Sequence, residues 1–155
     1  FDSAQPLKYT PEPQTRLTEV LSKYFTAVSR QERPDNLSGE EIDSIRRWSR
    51  TVSSKETTIG LVELGLRGIL DRKNAGILCY NLLDGSTLCE LIVRTGKERL
   101  SDVIPTYLAE KFGFGNVLAN TLSGLILETA ANEFPEKRLQ IEQKVEFLGL
   151  GGKAH

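Results

Sequence analysis

The chain reads as an all-α protein: a single-domain bundle of six to eight helices around an apolar central helix over about 56–72. Three observations predict this. Apolar residues recur at helical rather than strand spacing in most windows. Helix-start and helix-stop signals punctuate those windows at helix-sized intervals. The 155 residues, 39% hydrophobic and 26% charged, suit one globular domain with a real core.

Residues 1–13 carry Pro6, Pro11 and Pro13 without a periodic apolar face and read as an extended arm. Thr10-Pro11 resembles an N-cap followed by proline at the first helical position, and a helix should run to about Ser29. Leu17, Val20, Leu21, Tyr24 and Val28 share one face of it. Arg33-Pro34-Asp35-Asn36 is a loop. Ser38-Gly39-Glu40-Glu41 then fits a capping box, with Ser38 as cap and Glu41 reaching back. The helix it opens turns Ile42, Ile45 and Val52 inward, with Trp48 and Ser49 near that stripe and Arg46, Arg47 and Arg50 to its sides.

Ser53-Ser54 breaks this helix. Over 56–72, Ile59, Leu61, Val62, Leu64, Leu66, Ile69 and Leu70 go nearly all round, interrupted by a favourable Glu63–Arg67 pair. A helix apolar on nearly every side is a buried one. Gly60, Gly65 and Gly68 each cost up to about 1 kcal/mol against alanine, which predicts close backbone packing. Residues 76–94 fit two patterns. One is a β-hairpin about Asp84-Gly85. The other, preferred because everything around is helical, is two short helices with Thr87-x-x-Glu90 as a capping box and Gly96 as a stop.

Ser101 is read as the cap of the next helix, with Val103, Ile104, Tyr107, Leu108 and Phe112 on its apolar face and Pro105 tolerated in its first turn. Gly113-Phe114-Gly115 is a turn. Val117, Leu118, Leu122, Leu125, Ile126 and Ala130 mark a helix from about Asn116 to Asn132, with Gly124 favouring close packing. Over 136–148 the apolar spacing has strand parity but the residue types favour helix, and helix is preferred. The domain therefore spans 14–148, with a flexible tail over 149–155.

The function classes narrow mostly by what the sequence lacks. The one histidine is His155, the last residue, so the commonest general base and metal ligand has no interior representative. No CxxC pair, clustered ligand set or phosphate-binding glycine loop occurs. Neither a catalytic residue, a metal site nor a cofactor is expected. Cys79 and Cys89 read as buried free thiols, which points to the cytoplasm. No apolar run approaches a membrane span and no signal peptide is read.

The net charge of −1 hides a gradient. Residues 46–99 carry ten Lys/Arg and six Asp/Glu, a net of +4, and both flanks are acidic. Within this basic third, Arg46, Arg47, Trp48 and Arg50, with Lys55 nearby, form the candidate partner- or anion-binding cluster. Guanidinium groups pair bidentately with carboxylates and phosphates, and an exposed Trp offers a stacking surface. The plainer reading makes Trp48 a core anchor and lets the arginines be solvated or bridge to Glu41 and Asp43. Arg72, Lys73, Arg94, Lys97 and Arg99 extend the cluster if they fold onto the same side.

The expected function is a non-catalytic helical protein-interaction or regulatory module that can self-associate, its partner another protein or its own copy. One alternative is a nucleic-acid-associated regulator or nucleocapsid-type protein using the basic third. A second is a small-ligand carrier or enzyme with an apolar pocket between helices.

Overall fold

The computed structural model of the chain describes residues 11–52 and 56–136. Among them are seven helices and no strand: α1 (Pro11–Ser29), α2 (Gly39–Val52), α3 (Glu56–Arg67), α4 (Arg72–Tyr80), α5 (Gly85–Thr95), α6 (Leu100–Phe112) and α7 (Asn116–Glu133). The all-α class and the helix count agree with the sequence. Residues 76–94 form the two-helix alternative, not the hairpin. The strand-or-helix question over 136–148 and the tail over 149–155 lie almost wholly outside the described residues. The helices fall into two compact units, Phe1–Leu70 with α1–α3 and Asp71–His155 with α4–α7.

In the first unit α1 packs on α2, and α2 on α3. The predicted face of α1 is buried: Val20, Leu21, Tyr24 and Val28, joined by Phe25. Helix α2 opens on the capping box read from the sequence. Ser38 N–H donates to Glu41 Oε1 (2.9 Å), and Glu41 N–H donates to Ser38 Oγ (3.1 Å). That reciprocal bond, with Lys23 beside it, holds the Glu41 carboxyl below its ordinary value.

Helix α3 differs from its prediction in length and burial. It stops at Arg67 rather than near 72, because Asp71 opens a new helix by accepting from Asn74 N–H at 2.8 Å. It buries one face, Thr58, Leu61, Val62 and Gly65, while Leu64 is 54% exposed. Of the three glycines, only Gly65 is where packing demands it. A Cβ there would run into the Tyr24 hydroxyl, with ring Cζ at 3.1 Å, and nothing lies within 4 Å of one at Gly60 or Gly68. The approach lets Tyr24 donate to the Val62 carbonyl at 2.9 Å.

In the second unit α7 packs on α4 and α6, and α6 on α5. Close packing sits at Gly76, where a Cβ would strike the Thr129 hydroxyl, and not at the exposed Gly124. Two predicted caps shift. Asp84, not Thr87, caps α5, accepting from Ser86 N–H (3.3 Å) and from Thr87 Oγ1 (2.8 Å). Arg99 occupies the cap position of α6 without a side-chain bond, so Ser101 is helical and Pro105 falls in the second turn. Gly96 and Gly113 end α5 and α6 in the left-handed region at φ 74° and 75°, as glycines readily do. Val117, expected inward, is 82% exposed.

The glycine contacts predict opposite signs for two alanine substitutions on one helix. Gly60→Ala should stabilise by up to about 1 kcal/mol through helix propensity. Gly65→Ala should destabilise by about 1–3 kcal/mol through overpacking and displacement of the Tyr24 bond. Urea midpoints moving the same way in both variants would contradict the packing described.

Candidate functional site

A helix turns 100° per residue, so burying one residue of a basic run fixes where its neighbours point. In α2 the buried residues are Ile45, Trp48 and Ser49. Trp48 is 7% exposed and meets Phe25 edge-to-face at 5.7 Å, and Phe25 meets Tyr24 likewise at 5.1 Å. Trp48 is therefore a core anchor, and its stacking surface is spent on Phe25.

The arginines beside it separate. Arg46 reaches α3 and pairs bidentately with Glu63, Nε to Oε1 at 2.9 Å and Nη2 to Oε2 at 2.8 Å. Asp43 lies 3.7 Å from the same guanidinium, and Arg67 adds a second cation to Glu63 at 3.2 Å. The Arg46 hydrogen bond, then that of Arg67, holds the Glu63 carboxyl below its ordinary value against the opposing effect of burial. Arg47 and Arg50 are exposed. Arg47 donates only to the Ser44 hydroxyl, at 3.3 Å. Lys55 lies outside the described residues. The cluster read from the sequence thus divides into one structural arginine, one core tryptophan and two outward cations.

Arg47 has company that sequence reading missed. The α1–α2 pair is antiparallel: Lys23 faces Glu41 at 3.3 Å, and one helical turn after another carries the groove to Arg16 and Arg47. There a hollow of about 570 Å³ is lined by Arg16, Leu17, Val20, Arg47, Trp48 and Thr51. Its floor is apolar and its two charged residues are both arginines. Among the described residues neither pairs with a carboxylate. Arg16, Val20, Ser44 and Arg47 also line a neighbouring hollow of mixed charge, which adds Lys23 and the carboxylates Glu19, Glu40, Glu41 and Asp43. A signal for Arg16 was present: it lies one residue from Leu17 at the edge of the apolar face.

The five basic residues that would extend the cluster, Arg72, Lys73, Arg94, Lys97 and Arg99, lie in the second unit, where most are engaged. Arg72 pairs with Glu128 through two bonds of 2.7 Å, Lys73 with Glu133 at 3.7 Å, Arg94 with Glu110, and Lys97 donates to Thr106. That unit also holds a cleft of about 880 Å³ along α5 and α6, lined by Thr87, Cys89, Val93, Tyr107 and Lys111 among others. Its polar groups serve the fold. The Tyr107 hydroxyl donates to the Leu82 carbonyl (2.8 Å) and accepts from Asp84 N–H (2.8 Å) and from Lys111 Nζ (3.2 Å). Burial raises its pKa despite that lysine. Among the described residues no three of His, Cys, Asp and Glu gather as a metal site.

Comparisons with family models, with curated proteins and with solved structures find no match. The site is thus characterised by its own geometry. Among the described residues no single helix is long and apolar enough to cross a membrane; α4 and α5 together pass on length and composition but are bent by 69°.

Two measurements check this geometry. Glu63→Gln should cost about 1 kcal/mol at neutral pH, since a bidentate arginine pair exceeds an ordinary surface pair. The contribution of the depressed Glu63 carboxyl is complete above the unfolded value near 4.5 and is lost as pH falls through the folded value. The variant's melting temperature should therefore fall less steeply on the acid side. The thiols give the second test. Cys79 is fully buried and its thiol is pushed up to about 12 by desolvation, while Cys89 is only partly buried. Native protein should label at Cys89 alone within minutes, and at both after unfolding.

Proposed function

We propose that the chain is a non-catalytic helical interaction module, and that its binding face is the α1–α2 groove. The observation that carries this reading is the pair Arg16 and Arg47, two cations that among the described residues have no carboxylate partner, beside the apolar Leu17, Val20 and Trp48. Concave surfaces that combine apolar floor with a few unsatisfied polar groups are where partners dock. Arginine beside an aromatic and an aliphatic anchor is the composition of binding hot spots. The occupant is another protein or a second copy of the chain, and a regulatory role follows from binding without chemistry.

The nucleic-acid reading draws less support. Arg46, Arg67, Arg72, Lys73 and Arg94 each pair with a carboxylate, so half of the ten cations in the basic third are already engaged within the fold. A carrier or enzyme reading would use the α5–α6 cleft, whose Tyr107 and Lys111 are already bonded within the fold. The free thiols Cys79 and Cys89 support a reducing compartment, in keeping with a cytoplasmic module.

A photo-cross-linking residue at Leu17 of the full chain tests the reading, with the same residue at the exposed Thr121 of α7 as control. Incubation with cell extract should give discrete adducts from position 17, which Arg47→Glu reduces at least about fivefold, and none of that pattern from 121. Light scattering of the uncross-linked protein separates self-association from a foreign partner. A strict monomer without adducts at position 17 would sink the proposal.

A further inference from the structure

We draw no further inference here: the strongest candidate, the outward face of α3 where the exposed Leu64 follows Gly60 with open space above that glycine, carries none, because nothing in the structure shows what covers that face.

Discussion

Burying Trp48 against Phe25 sets the rotation of α2, and nearly everything else about the first unit follows from that rotation. An indole and a phenyl ring packed edge-to-face at 5.7 Å exclude water from a large apolar area and gain from ring geometry besides. With Ile45 and Trp48 inward, Arg46 is carried to the α3 side and Arg47 to the α1 side. The basic run is a row in sequence only. In space one of its members staples α2 to α3 and another borders a groove on the opposite flank.

The second unit is organised by a different device, the satisfaction of main-chain groups at helix ends. Asp71 and Asp84 cap α4 and α5 through N–H groups that the helices leave unbonded. The Tyr107 hydroxyl then takes both a carbonyl and an N–H from the short α4–α5 connection. One buried phenol thereby fixes the short connection Asn81-Leu82-Leu83-Asp84. Gly76 and Thr129 set the separation of α4 and α7, because any side chain at 76 would meet that hydroxyl.

Much of this was legible in the sequence, and the misses have a common cause. The apolar faces of α1 and α6, the Ser38 box and the Gly96 stop could be read because each is a local pattern, complete within one helix or one turn. What depends on a second element could not. Nothing within 56–72 distinguishes a central helix from a half-exposed one that ends at Arg67, because the Asp71 cap competes for the same stretch. Gly60, Gly65 and Gly68 look alike until Tyr24 is known to face only one of them. Arg46 looked as free as Arg47 because Glu63 lies 17 residues away and its i,i+4 partner Arg67 seemed to account for it. The groove was missed for the same reason: Arg16 and Arg47 belong to different helices and meet only when those helices pair antiparallel.

Folding explains most of the charges around that groove, and the remainder is informative. Glu40 and Glu41 sit in the first turn of α2, where the helix dipole favours them, and Glu41 also closes the box. Arg50 sits in the last turn, where the dipole favours a cation. Arg46 is bound to Glu63, and Lys23 to Glu41. Arg16 and Arg47 have no comparable reason to be arginine. Neither lies in a terminal turn where the dipole would favour a cation, and each borders apolar surface that a neutral side chain would cover at no electrostatic cost. Two like charges lining one apolar hollow repel each other slightly in the free protein. That arrangement supports the docking face proposed above, and the helix dipoles and ion pairs named here do not account for it.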